Sequence, residues 1–349
     1  MADIGFGIIG CGAIAPMHAL SIAEVEGARL VAVSDVREEA GREFGDRYGV
    51  PSYTDYRRML ERDDLDAVSI CVPTGMRTEI VEICAAAGKH ILAEKPLEVS
   101  TQRIDRMIAA SREAGVKLGC IFQLRFSDAA MEVQRAIADE RFGRLVLGDA
   151  YIKWYRSQEY YDQGEWRGTW EFDGGGCLMN QGVHRIDLLL SFLGPVSTVH
   201  AHTGLVAHER VEVEDVATAL LTFENGATGV IEGSTAIWPG HPARVEIHGT
   251  RGSAIMEDDA LSFWQFRDEH PQDESIRNRF GTGARSSGAG DPTAHIHHEG
   301  HRRQVLDFVE AIRDDRAPAV DGSDGRLAVE LIEAIYRSAR SGQTVTLQG

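Results

Sequence analysis

Short, uninterrupted apolar runs mark the first third of the chain. Gly5–Ile9, Leu30–Val33, Ala67–Val72, His90–Leu92 and Lys117–Phe122 each read as a strand. Helical patterns such as Ile80–Ala87 and Ile104–Ala114 lie between them. A strand covered on both faces has no polar side to show. Continuous apolar runs alternating with helices therefore predict a parallel sheet sheathed by helices and joined by right-handed crossovers.

From about Leu145 the pattern changes to longer alternating stretches joined by turn signals. Leu220–Phe223 and Thr228–Glu232 flank Glu224-Asn225-Gly226-Ala227 and predict a hairpin with an Asn-Gly turn. Val245-Glu246-Ile247 alternates before Gly249-Thr250-Arg251-Gly252, and an Asp258-Asp259 turn precedes Leu261–Phe266. This region predicts a mostly antiparallel sheet. One helix interrupts it over Gly182–Phe192, with an apolar stripe of Ile186, Leu189, Leu190 and Leu193. Gly281–Gly290 is nearly devoid of apolar residues and reads either as a plain surface loop or as a lid. Two amphipathic helices, about Arg303–Arg313 and Gly325–Ser341, and a short strand over Thr344–Leu347 close the chain.

Composition narrows the class. The chain has 349 residues, 43% of them hydrophobic and 26% charged, which suits two globular domains. No apolar run approaches the roughly 20 residues of a membrane span. The start, MADIGFGIIG, reads as a buried strand rather than a signal peptide. A net charge of −18 and a pI near 5.1 argue against nucleic acid or an anionic membrane as partner. The five cysteines form no CxxC pair and are expected to be buried free thiols of a cytoplasmic protein.

Gly10-Cys11-Gly12-Ala13-Ile14-Ala15 fits G-x-G-x-x-A directly after a strand and at the opening of a helix. The first Gly permits the tight turn, the second clears space for a pyrophosphate, and the small third residue lets helix and strand pack closely. Amides at the helix start, including those of Ala13 and Ile14, then bind the phosphates. The bland alternative is a tight strand–helix turn in another α/β fold. A second strand ends at Asp35, at the offset of a ribose-binding acid. Its carboxylate accepts bonds from a 2′-hydroxyl and repels a 2′-phosphate, which favours NAD. Arg37 is the counter-signal, since a guanidinium there can hold that phosphate.

Glu94-Lys95-Pro96 follows the His90–Leu92 strand, at the carboxyl edge of the sheet. Downstream stand Gln123-x-Arg125, Trp166-Arg167, Gly174-Gly175-Gly176 and Asn180-Gln181-Gly182-Val183-His184-Arg185-Ile186-Asp187. With these features the chain resembles, over nearly its whole length, the Gfo/Idh/MocA family of glucose–fructose oxidoreductases and inositol dehydrogenases. The resemblance implies a Rossmann NAD-binding domain over 1–124. Residues 125–349 then form a substrate-binding and oligomerisation domain on a large, mostly antiparallel open sheet, whose last helices can pack back on the first domain. It implies catalytic roles for Lys95 and His184. It places the nicotinamide near Pro73, Thr74, Lys95 and Gln123, with Glu94 counted among the cofactor contacts. It also implies a homodimer or homotetramer.

The residue chemistry agrees with those roles. Hydride leaves an alcohol carbon as its O–H proton is withdrawn, so a cation beside the oxygen and a neutral imidazole that takes the proton suit Lys95 and His184. Asn180 and His184 are four apart and share one face of an α-helix. Asp187 either orients the His184 ring or serves packing. Two positions depart from many relatives, which carry Asp at 180 and His at 77. Asn180 cannot supply charge but can bond substrate hydroxyls, and Arg77 either contacts cofactor or faces water.

Trp154, Tyr155, Tyr160, Tyr161 and Trp166, with Lys153, Arg156 and Arg167, suit a sugar ring or else an ordinary sheet surface or subunit interface. His295, His297, His298 and His301 cluster, but Gly300 interrupts helical spacing and no metal site is expected. His301 remains a candidate substrate contact. The expected activity is NAD-dependent hydride transfer at a hydroxyl or keto carbon of a sugar, sugar derivative or cyclitol. A redox-neutral NAD glycosidase would use the same residues, whereas a non-catalytic NAD- and sugar-binding regulator would need neither Lys95 nor His184.

Overall fold

The computed structural model describes residues 3–164, 166–280 and 298–347. The Gly281–Gly290 loop and two of the clustered histidines, His295 and His297, lie outside them. In chain order the strands are β1 (Ile4–Ile9), β2 (Ala28–Ser34), β3 (Ser52–Tyr53), β4 (Ala67–Ile70), β5 (His90–Ala93), β6 (Leu118–Cys120), β7 (Leu145–Lys153), β8 (Val196–Gly204), β9 (Val216–Phe223), β10 (Thr228–Ser234), β11 (Arg244–Gly249), β12 (Gly252–Glu257), β13 (Ala260–Phe266) and β14 (Val345–Thr346). The α-helices are α1 (Ala15–Glu24), α2 (Glu38–Tyr48), α3 (Tyr56–Leu60), α4 (Arg77–Ala86), α5 (Thr101–Ala114), α6 (Asp128–Ala138), α7 (Gln158–Asp162), α8 (Val183–Leu193), α9 (Asp273–Phe280), α10 (His298–Arg313) and α11 (Gly322–Ser341). None of the described helices is long and apolar enough to cross a membrane.

Contacts divide the chain into two units, Met1–Gln123 with His297–Arg326 and Leu124–Ile296 with Leu327–Gly349. In the first unit six parallel strands run in the order β3-β2-β1-β4-β5-β6. Strand order reverses at β1 and β4, the position where such sheets open a crevice at their carboxyl edge. Phe6, Ile8, Val33 and Leu92 form the core with Ala19 and Ile22 of α1 and with Phe308 and Val309 of α10. The C-terminal helix α10 thus completes the hydrophobic cover of the first sheet.

In the second unit eight strands run β13-β12-β11-β7-β10-β9-β8-β14. All neighbours are antiparallel except β7 and β10. The expected hairpin is present: Thr222 pairs with Thr228, and Gly226 takes φ +85° in the turn. One face of this sheet is covered by apolar packing that includes α8. Leu220, Val230 and Ile255 alternate with buried neighbours and point to the other face.

Two helices differ from expectation. α10 starts at His298 and runs through Gly300, which therefore does not break helical spacing. A Cβ at Gly300 would sit 2.5 Å from the Gln123 carbonyl oxygen, so the glycine is what lets the helix lie against the turn that follows β6. Before α8, Cys177–Gly182 forms a π-helical turn. Residues 180 and 184 straddle its junction with α8, and the wider turn alters the shared-face spacing expected of a pure α-helix.

Candidate active site

The first unit presents a dinucleotide cradle. Gly10, just after β1, takes φ +94°, and a Cβ there would lie 2.9 Å from the Cys71 carbonyl oxygen. A Cβ at Gly12 would meet nothing within 4 Å, so this turn presents bare backbone to open space. The Ala15 amide bonds Gly12 O at 3.2 Å as α1 begins, with Ile14 at the N-cap. The amides of Gly12, Ala13 and Ile14 precede the intrahelical ladder, at the positive end of the helix dipole.

Asp35 is buried at 8% exposure, at the end of β2. Its Oδ2 accepts from the Cys11 amide at 2.9 Å and its Oδ1 from the Arg37 amide at 2.8 Å. Burial opposes its charge, but the Arg37 and Cys11 amides outweigh burial and hold the carboxyl below the usual range. Arg37 lies 3.3 Å from Asp35 through Nε, so its charge is set against the carboxylate.

The loop around Lys95 is held from inside. Glu94, expected to touch cofactor, is buried and turned inward. Its Oε1 lies 2.9 Å from His18 Nε2 and 3.8 Å from His301 Nε2, and its Oε2 accepts from the Lys95 amide at 3.1 Å. His18 Nδ1 meets Ser69 Oγ at 2.9 Å. Burial opposes charge on both groups. For Glu94 the two histidines prevail and hold the carboxyl well below its ordinary range, whereas burial prevails for His18 and lowers its pKa. His301 is likewise buried at 2% exposure, and its ring packs 5.7 Å from His18. It lies in α10 and does not occupy a solvated turn. His18, Glu94 and His301 are the one compact set of metal-ligand types among the described residues. The 2.9 Å approach of His18 Nε2 to Glu94 Oε1 is within hydrogen-bond distance.

Arg77 does not face water. It is buried, and its guanidinium donates to Val72 O through Nε at 3.1 Å and Nη2 at 2.9 Å, and through Nη1 to the carbonyls of Glu94 and Pro96. It therefore ties the Val72-Pro73-Thr74 segment to the loop bearing the half-buried Lys95. Thr74 is buried and Pro73 half-buried. Gln123 is buried at 6% exposure, and its Oε1 has no hydrogen-bond partner among the described residues. A bare glycine turn at a helix start, an acid after β2 and an unmatched buried amide oxygen fit a bound dinucleotide.

The second unit builds its site around the Gly-rich turn. Buried Glu214 accepts from the Gly176 amide at 2.9 Å, the Leu178 amide at 3.0 Å and the Tyr336 hydroxyl at 2.9 Å. A Cβ at Gly176 would stand 1.9 Å from Glu214 O, so only glycine permits this approach. Burial raises the Glu214 pKa despite these donors. The π-turn that follows carries Asn180, and α8 carries His184; both are half-buried. Asn180 Nδ2 donates to Asp173, and Asn180 Oδ1 accepts from Gln181 Nε2 at 2.8 Å. Asp187 forms a two-point pair with Arg125, at 2.6 Å and 2.9 Å. This ties α8 to Arg125 and gives the arginine of the Gln123-x-Arg125 motif a structural partner.

Arg167 lies 4.4 Å from the Tyr160 ring centroid and 5.2 Å from that of Trp166, and donates to Tyr160 O at 2.8 Å. Tyr155 packs edge-on against Trp238 at 5.0 Å. Sequence reasoning overlooked His18, Asp173 and Glu214. A lone histidine in an apolar helix and acids at turns look like ordinary core or surface residues until their partners are known.

The comparisons agree with this geometry. Residues 4–122 match the oxidoreductase family with an NAD-binding Rossmann fold, and residues 130–255 match the GFO/IDH/MocA C-terminal domain. The chain is 28% identical to myo-inositol 2-dehydrogenase of Thermotoga maritima, covering 98% of each. It is 29% identical to D-apiose dehydrogenase of Paraburkholderia graminis, covering 98% of this chain and 89% of that one. The crystal structure of the WlbA dehydrogenase from Bordetella pertussis, in complex with NADH and UDP-GlcNAcA, superimposes with a TM-score of 0.89 at 33% identity, covering 100% of this chain and 99% of the other. The chain belongs to the Gfo/Idh/MocA family of NAD-binding oxidoreductases.

Proposed function

We propose that this protein oxidises a ring hydroxyl of a sugar, sugar derivative or cyclitol, or reduces the matching ketone, with Lys95 and His184 as its catalytic residues. The observation that carries the reading is the Lys95 loop. A half-buried lysine stands at the carboxyl edge of an NAD-binding sheet, fixed through its own amide by Glu94 and through flanking carbonyls by Arg77. NAD held by Gly10, Gly12, Ala13, Ile14, Asp35, Pro73, Thr74 and Gln123 supplies the acceptor for the hydride and its electron pair. Lys95 stabilises the oxygen as negative charge develops, and His184 receives the hydroxyl proton as the carbonyl forms. Asn180 bonds a neighbouring substrate hydroxyl.

Two guanidiniums flank Tyr160, with Arg156 at 5.8 Å and Arg167 at 4.4 Å from its centroid. Of the two, Arg156 is buried, and the half-buried Arg167 supports a substrate with a carboxylate or phosphate, as does the UDP-GlcNAcA bound by the WlbA dehydrogenase. The open face of the eight-stranded sheet, with Leu220, Val230 and Ile255, suits self-association into a dimer or tetramer. The test is NADH formation from NAD with UDP-GlcNAcA, myo-inositol and D-apiose. Absence of NADH with all three and with a wider panel of sugars and cyclitols would reject the dehydrogenase reading, and product release without net NADH would select the redox-neutral glycosidase.

A further inference from the structure

We propose that Asp173 is a positioning residue for substrate recognition. Together with Arg156 it sets the direction of a chain of hydrogen bonds that orients Asn180. Arg156 Nε donates to Gln181 Oε1 at 3.1 Å, Gln181 Nε2 donates to Asn180 Oδ1 at 2.8 Å, and Asn180 Nδ2 donates to Asp173 Oδ1. Gln181 Nε2 also donates to the Tyr160 hydroxyl at 3.0 Å, and Asp173 Oδ2 accepts from the Gly168 amide at 2.6 Å.

The direction follows from the two ends. A guanidinium can only donate and an ionised carboxylate can only accept. An isolated Asn or Gln amide can turn over at little cost. Here, turning Asn180 would set oxygen against the Asp173 carboxylate, and turning Gln181 would set N–H against Arg156 N–H. Both ends are fixed: Arg156 is 4% and Asp173 3% exposed. Arg156 also donates to Tyr155 O at 2.9 Å and lies 5.4 Å from the Trp154 ring centroid. Reversal would leave buried polar atoms facing like atoms, which a low-dielectric interior penalises heavily.

Which atom of residue 180 a substrate meets is therefore decided by residues that need not touch it. The negative charge that many relatives carry at position 180 is held here one hydrogen bond behind it, on Asp173. An amide fixed in advance has no orientation to lose when a sugar binds. The inference rests on the reading that Asn180 contacts substrate.

The test is a set of variants assayed with UDP-GlcNAcA, or with myo-inositol if the former is inert, alongside NADH titration and thermal melting. Asn180→Ala tests the underlying reading, and a KM unchanged from wild type would remove that reading and this proposal together. Given a raised KM in Asn180→Ala, Asp173→Asn is expected to raise KM about tenfold, the weight of one such bond, with NADH affinity unchanged. The double variant Asp173→Asn, Asn180→Asp restores a donor facing an acceptor with the same direction through Gln181. It is expected to regain most of the lost thermal stability and to bring KM back to within about threefold of wild type. A wild-type KM in Asp173→Asn overturns the proposal, as does a double variant no better than the single one in melting and KM. If Asp173→Asn fails to fold, a folded and active double variant supports the proposal and an unfolded one overturns it.

Discussion

Replacing Arg77 with Met removes the clamp around Lys95 while keeping much of its volume. The guanidinium serves three buried carbonyls, those of Val72, Glu94 and Pro96. A buried acceptor stripped of its donor costs about 1–3 kcal/mol, so the gross loss is roughly 3–9 kcal/mol. Against this, burying a guanidinium is itself costly, and burial already pulls the Arg77 pKa down. Relief of that cost leaves a net loss of about 2–4 kcal/mol. At roughly 2–4 °C per kcal/mol, the melting temperature should fall by about 4–16 °C.

The kinetic effect follows from position. The carbonyls of Glu94 and Pro96 flank Lys95, and a misplacement of about 1 Å at a reacting group can cost about 100-fold. Turnover should fall at least tenfold. Arg77→Lys should give an intermediate loss, since one ammonium cannot span carbonyls that a planar fork reaches together. Thermal melting by circular dichroism and steady-state NADH formation provide the two readouts. A variant that melts within about 2 °C of wild type and turns over within twofold would refute the clamp.

Lys95→Ala should lower turnover by roughly 10²–10⁴ while NADH binding, read by fluorescence titration, changes little. His184→Ala should lower the chemical rate and flatten the pH–rate profile; an unchanged profile would assign the proton to another group. NAD(H) should bind more tightly than NADP(H), and Asp35→Ser with Arg37 retained should narrow that gap in parallel titrations. Asp273 contributes to stability against acid. Burial opposes its charge, but Arg141, the His270 amide and Trp264 outweigh it and bring the pKa from 3.8 to about 2. A depressed carboxylate pKa stabilises the fold above the unfolded value, and this contribution, about 2 kcal/mol, is lost as pH falls from about 4 through about 2. Asp273→Asn should therefore melt lower than wild type at neutral pH, and the two should converge in acid.

The first unit was legible in the sequence because its strands are buried on both faces. Gly5–Ile9 and Ala67–Val72 could be read as strands without knowing their neighbours, and Gly10, Gly12 and Asp35 are constrained by local backbone geometry. The hairpin around Asn225-Gly226 was legible for the same local reason. Tertiary structure decided what depended on distant partners. Arg77 looks like an exposed charge at a helix start until Val72, Glu94 and Pro96 gather around it. His301 reads as one of a histidine cluster, yet α10 delivers it to Glu94, more than two hundred residues earlier in the chain. Asp187 stood three residues from His184, and nothing in that spacing showed that Arg125 would engage both of its oxygens. Asn180 was recognisable as a departure from Asp, while the carboxylate behind it was not, because the direction of an amide is set by the charges at the two ends of its hydrogen-bond chain. Periodicity and glycine placement are properties of a short stretch of chain; the partners of a buried charge are a property of the fold.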